Sequence, residues 1–142
     1  MKKIRADIAE NDSAERFSTN MGVDLYLGHA KFVSKNEVEI NGKTLKFLKA
    51  CIATGGRPFV PTIEGLSEVE FHTSDSIFNL EKLPESMLVL GCGPIGCELG
   101  QGFTRLGTNV IMVSNSFMPK EDSDCSIYVQ KQMEQDGVNF KI

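Results

Sequence analysis

Between Met87 and Leu99 an apolar run of strand-forming residues, Met-Leu-Val-Leu, meets Gly91-x-Gly93-x-x-Gly96 and passes directly into residues at helical spacing. A glycine triad in that setting is the fingerprint of a dinucleotide-binding turn. Gly91 permits the tight strand-to-helix turn, Gly93 lets the backbone approach a pyrophosphate, and Gly96 lets the helix pack closely on the strand. Pro94 and Ile95 complete the turn and open the helix, whose free N–H groups and positive dipole end suit phosphate charge. A tight structural turn with no ligand is the competing reading.

The pattern on either side of this turn differs. From Met87 onward strand and helix alternate, which implies a parallel sheet. Ile95, Leu99, Phe103 and Leu106 form an apolar stripe on the first helix, which Gly107 ends. Asn109 to Val113 reads as the second strand, and Cys125, Val129 and Met133 as the packing face of a second helix stopped at Gly137. Val138 to Ile142 begins a third strand. Before Met87 the signals are those of short antiparallel strands: Val23 to Leu27, Ala30 to Val33, Glu37 to Ile40 and Thr44 to Phe47. Asn41-Gly42 is a type I′ hairpin signal, since both central positions need positive φ. Lys49 to Pro58 reads as one more strand running into a glycine turn, and Ser74 to Leu80 as a single helical turn. Asp12-Ser-Ala-Glu15 resembles a capping box opening a short surface helix that ends near Gly22. The fold class is therefore α/β: an antiparallel β-meander followed by a partial Rossmann-like β-α-β-α-β unit with a parallel sheet.

Composition narrows the function classes. The 142 residues carry a net charge of −4 and no basic stripe, which argues against nucleic acid as a partner. Met1-Lys-Lys-Ile-Arg5 is followed by Asp7, Glu10 and Asp12, where a signal peptide would need an apolar segment. The uncharged run Ser86 to Cys97 is too short to span a bilayer, so a soluble cytoplasmic protein without membrane association is expected. His29 and His72 have no ligand-spaced companions, and no metal site is expected. Glu121 and Asp122 beside Ser123 read as negative charge at a helix N-terminus.

Two motifs together carry a resemblance. Ala53-Thr-Gly-Gly-Arg-Pro58, followed by Leu90-Gly-Cys-Gly-Pro-Ile-Gly-Cys-Glu-Leu99 and Phe103-Thr-Arg-Leu-Gly107, resembles the flavoprotein disulfide reductases, which include dihydrolipoamide dehydrogenase, glutathione reductase and mercuric reductase. Asp12-Ser-Ala-Glu-Arg-Phe17 and Pro119-Lys-Glu-Asp122 are most similar to the mercuric-reductase-like branch. The resemblance implies that residues 1–83 are the later part of an FAD-binding domain and that residues 84–142 are the first half of an NAD(P)-binding domain. It implies NAD(P)H and FAD as cofactors, a homodimeric parent, and a missing remainder of the chain as partner. The parent's activity would be electron transfer from NAD(P)H through FAD to a cysteine pair, and on to a disulfide or metal ion. The family's flavin fingerprint, redox Cys-x4-Cys and catalytic His have no counterpart here, so the isolated chain is expected to be inactive. A stand-alone NAD(P)-binding module and a ligand-free structural fragment are the alternatives.

By position, Thr54 and Gly55 match the loop that approaches the flavin, and Glu98 matches a helix glutamate that pairs with a lysine beside it. That lysine would lie upstream, so Glu98 is expected to be solvated. NAD sites of this fold place an acid at the end of the second strand, to hold the ribose 2′-OH; here Ser114 stands there. NADPH-preferring relatives carry a basic residue at that place and another six positions on, where this chain has Lys120. NADPH is therefore favoured, with dual use as the competitor.

Cys92 and Cys97 have the family's redox spacing by accident and are expected to be unpaired thiols. Cys51 and Cys125 are expected to be small packing residues. Gly100 and Gly102, where the family usually has alanines, cost roughly 1 kcal/mol each within a helix, with no evident gain.

Overall fold

The computed structural model describes residues 2–142 and divides between Pro61 and Thr62 into two compact units. The expected α/β class holds: an antiparallel sheet lies in the first unit and a parallel sheet in the second.

In the first unit, β1 (Ala30–Ser34), β2 (Glu37–Ile40) and β3 (Lys43–Lys46) form the meander in that order. Asn41 at φ 49° and Gly42 at φ 76° make the expected type I′ hairpin between β2 and β3. The side-chain amide of Asn41 donates to the Leu27 carbonyl at 2.7 Å, so the hairpin also holds the segment before β1. Phe32 of β1 stacks edge-on against Phe47 at 5.9 Å.

Several expectations for this unit are corrected. A helix absent from the sequence reading, α1 (Lys2–Ala9), precedes the capping segment. The expected helix beyond it is a π turn over Arg16–Asn20, and the side chain that accepts a backbone N–H at its start is Ser13, from Arg16 at 3.1 Å, in place of Asp12. The apolar runs Val23 to Leu27 and Lys49 to Pro58 are irregular, not strands. Cys51 within the second run is exposed rather than packed. A strand needs a ladder partner for its backbone groups and cover for its side chains, and these runs have neither: Leu27 is 77% exposed and Ile52 72%. Among the described residues of this unit only Ile40 is a buried hydrophobic side chain.

The second unit holds the larger core. Here β4 (Ser86–Cys92), α2 (Pro94–Arg105), β5 (Asn109–Phe117), α3 (Ser123–Gln135) and β6 (Asn139–Lys141) follow one another, and the parallel sheet has the order β4-β5-β6. Val110, Met112 and Met133, all fully buried, join Cys92, Cys97, Phe103 and Val138 between sheet and helices. Ile77, on a single 3-10 turn (Ile77–Asn79), and Leu80 pack against the same core, which draws residues 62–83 into this unit. The expected boundary after residue 83 falls inside the second unit, since the chain divides by packing between Pro61 and Thr62.

Both helices stop where the glycines predict. At Gly107, φ 103°, the Thr108 N–H reaches the Phe103 carbonyl at 3.0 Å and the Gly107 N–H the Thr104 carbonyl at 2.9 Å. At Gly137, φ 102°, Val138 and Gly137 make the same pair of bonds to Met133 and Glu134. Each is a Schellman motif, satisfying carbonyls that the helix end leaves open.

The expected packing faces hold at Leu99 and Phe103 and at Val129 and Met133, and need correction at the other positions. Ile95 on α2 and Leu106 just after it are 59% and 62% exposed, and the inward positions include Cys97, Gly100 and Phe103. On α3, Cys125 is exposed and Ser126 takes the inward place, its hydroxyl donating to the Asp122 carbonyl at 2.9 Å. Gly100 also has a reason that the sequence does not reveal: a Cβ there would sit 2.9 Å from the sulfur of Met112, so the helix approaches β5 more closely than alanine allows.

One polar cluster joins the two helix ends. Asp136, at the C-terminus of α3, accepts from Gln101 at 2.6 Å and from Arg105 Nε at 2.9 Å, and Gln132 bonds its other oxygen at 3.2 Å. Partial burial alone would raise its carboxyl. The bonds from Gln101, Arg105 and Gln132 and the Arg105 charge outweigh that and hold it below the usual carboxylate range. A lowered folded value means that the contribution is complete at neutral pH and fades as pH falls below about 4, where the unfolded carboxyl titrates. Asp136→Asn should therefore melt below the wild type at neutral pH, with the gap closing on acidification. A gap independent of pH in thermal melts counts against this role.

Candidate functional site

The glycine turn is built as the sequence implies. Gly91 ends the regular part of β4 at φ 103°, a conformation that side chains oppose. Gly93 precedes α2 in an extended conformation, φ −80° and ψ 174°, and its carbonyl accepts the Cys97 N–H at 2.9 Å. Pro94 opens the helix, where a missing N–H is harmless. Gly96 faces the strand: a Cβ there would lie 2.5 Å from the Gly91 carbonyl oxygen.

Gly93 is different. A Cβ on it would meet nothing within 4 Å, and its φ and ψ suit any residue. Neither conformation nor packing within the unit calls for glycine at that place. Open space above a helix N-terminus is what an approaching phosphate needs.

The second strand differs from expectation. It runs to Phe117 instead of ending at Val113, and an irregularity interrupts it: Leu90 lies opposite Val113, but Cys92 lies opposite Phe117. Ser114, Asn115 and Ser116 span the extra length beside Gly91. Ser114 is half-buried, and its hydroxyl accepts the Ser116 N–H at 3.4 Å. Lys120 is exposed in the turn after β5, with no ion pair among the described residues. Glu98 is exposed on α2. Asp122 is the residue preceding α3, consistent with its reading as negative charge at a helix start. Thr54 and Gly55 lie in the first unit, both exposed, with Gly55 at φ 67° and open space around it.

The two buried cysteines are chemically quiet. Burial pushes the Cys97 thiol up to about 11, with the neighbouring Cys92 and Glu98 adding to the shift. Burial also raises Cys92, partly offset by the Ser114 side chain. The nucleophilic form of cysteine is the thiolate, so neither thiol is reactive at neutral pH. Both are free, as their place in the turn predicts. Sequence reasoning missed the role of Cys92 as a junction: its buried side chain packs into the core, and its carbonyl accepts the Met118 N–H at 2.9 Å. The signal available was Pro119, a turn former two residues beyond the strand.

A family model described as pyridine nucleotide-disulphide oxidoreductase matches residues 3–142. The chain belongs to that family. It is 36% identical over 132 residues to a mercuric reductase of Bacillus cereus, covering 92% of this chain and 21% of that protein. A dihydrolipoyl dehydrogenase of Acholeplasma laidlawii is 33% identical over 125 residues, which is 84% of this chain and 37% of that one. Among solved structures, the Cu(II) complex of the HOCl-induced flavoprotein disulfide reductase RclA from Escherichia coli superposes with a TM-score of 0.78 at 25% identity, over 94% of this chain and 32% of that chain. The chain thus spans between a fifth and somewhat over a third of the length of these family members. No helix among the described residues is long and apolar enough to cross a membrane.

Proposed function

We propose that this chain carries the nicotinamide-nucleotide turn of an FAD-dependent NAD(P)H oxidoreductase, a homodimer in its full form. The single observation that carries the reading is Gly93, a glycine that neither conformation nor packing explains and that leaves room above the α2 N-terminus. Gly91 and Gly96 fix the turn, and Pro94, Ile95 and Gly96 place the first helical N–H groups around the pyrophosphate. Thr54 and Gly55 face the flavin, where the open, left-handed Gly55 admits close approach. Glu98 stands beside the turn on α2.

When bound, the nicotinamide supplies a hydride and the flavin relays two electrons to a cysteine pair, which reduces a disulfide or a metal ion such as the mercuric ion. That pair is not Cys92 and Cys97, whose raised thiols keep them protonated. For the nucleotide, the absence of an acid at Ser114 and the free ammonium of Lys120 favour NADPH. A hydroxyl and one ammonium hold the 2′-phosphate, without the bidentate fork of arginine.

Titration of the protein with both nucleotides tests this. Gly93→Val should weaken NADPH and NADH alike by about a hundredfold, as expected when charge-assisted bonds to phosphate are lost, with little change in unfolding midpoint. Equal affinity in Gly93→Val and wild type sinks the nucleotide site. A stronger wild-type affinity for NADH, unaffected by Lys120→Ala, sinks the NADPH preference alone.

A further inference from the structure

Met118 is held in a conformation that methionine avoids. Its φ is 41°, and the other non-glycine residue at positive φ among those described, Asn41, sits in a hairpin that requires it. No hairpin requires it at Met118. Strained residues of this kind persist where their surroundings over-determine them, and such places cluster at functional sites.

Three contacts fix Met118. Its N–H donates to the carbonyl of Cys92, the residue between Gly91 and Gly93, at 2.9 Å. Its side chain is partly buried against the core of the second unit. Its carbonyl accepts the Glu121 N–H at 3.1 Å, closing a β-turn with Pro119 and Lys120 at the central positions. Proline at the first of these pre-sets the turn. Just before it, Phe117 stacks edge-on against Phe140 of β6 at 5.5 Å. Lys120 thus rides on a short rigid turn tied by one backbone bond to the glycine turn.

We propose that Met118 is a positioning residue for nucleotide choice: its anchored side chain and its bond to Cys92 hold the Met118–Glu121 turn so that Lys120 meets the 2′-phosphate of NADPH. The inference rests on the nucleotide reading above and deepens it. Without the anchor, the ammonium moves on a loose loop and most of the discrimination is lost. The pyrophosphate contacts, made by the glycine turn itself, remain.

Calorimetric titration with NADPH and NADH compares the wild type, Lys120→Ala, Met118→Gly and Met118→Leu, with urea melts to follow folding. Lys120→Ala should lower the NADPH-to-NADH affinity ratio about tenfold, the loss of one charge-assisted contact. Met118→Gly keeps the left-handed backbone but lacks the anchor, and should lower the ratio about fivefold with NADH affinity nearly unchanged. Met118→Leu restores an anchor and should keep the wild-type ratio. A wild-type ratio in Met118→Gly overturns the proposal, as does a parallel loss of both nucleotides, which marks a merely structural role. A wild type that binds neither nucleotide, or a ratio unmoved by Lys120→Ala, removes the underlying reading of the site or of Lys120 and this inference with it.

Discussion

Gly96→Ala should destabilise the second unit by about 3 kcal/mol or more, the upper end of the range for overpacking. The added methyl would stand 2.5 Å from the Gly91 carbonyl oxygen and 3.6 Å from the Val89 side chain. The first of these is backbone. Gly91 has little room to retreat, because its φ of 103° already forms the tight turn and β4 is paired with β5 on the residues before it. Either α2 lifts from the sheet, exposing Cys97 and Phe103, or the turn opens. Against a total stability of roughly 5–15 kcal/mol, that is a large fraction. Gly93→Ala is the internal control: it adds a methyl into open space on a permissive backbone, so its effect on stability should stay within about 0.5 kcal/mol. Urea denaturation of the two variants measures the contrast. Gly96→Ala unfolding at the wild-type midpoint means that the helix does not press on the strand as described.

The contrast also shows what sequence can convey. The three glycines, the stops at Gly107 and Gly137 and the Asn41-Gly42 hairpin were legible because each depends on a few adjacent residues and on one backbone conformation. The parallel sheet was legible for a related reason, since the alternation of strand and helix patterns leaves few topologies. The runs Val23 to Leu27 and Lys49 to Pro58 misled because apolar β-formers report a tendency to be covered, whereas a strand also needs a partner, and local sequence does not record one. Cys125 and Ile95 misled by a smaller margin: each has the right spacing for a buried stripe, but the rotation of the helix on the sheet brings Ser126 and Cys97 inward instead. At the candidate site, Ser114 and Lys120 were found by position, while the irregularity opposite Gly91 and the junction at Cys92 were not. Those depend on register between β4 and β5, a non-local property.

Gly100 and Gly102 bring the two levels together, because identical residues two places apart on α2 should respond to alanine with opposite signs. By helix propensity alone each substitution gains up to about 1 kcal/mol. At Gly102 a Cβ meets nothing within 4 Å, so Gly102→Ala should stabilise by about 0.5–1 kcal/mol. At Gly100 it meets the Met112 sulfur at 2.9 Å, with two further Met112 atoms at 3.6 Å. Met112 is fully buried, though methionine is the most adaptable of core side chains. Overpacking of about 1–3 kcal/mol then exceeds the propensity gain, and Gly100→Ala should be net destabilising by about 1 kcal/mol. Shortening the obstacle identifies the cause: Met112→Val destabilises alone by leaving a cavity, but in the Gly100→Ala background its cost should shrink, because the new methyl fills part of that space. Chemical denaturation of the two single variants and the double variant supplies the coupling energy. If Gly100→Ala stabilises as Gly102→Ala does, or the two changes at Gly100 and Met112 add without coupling, the close approach of α2 to β5 is not what places glycine there.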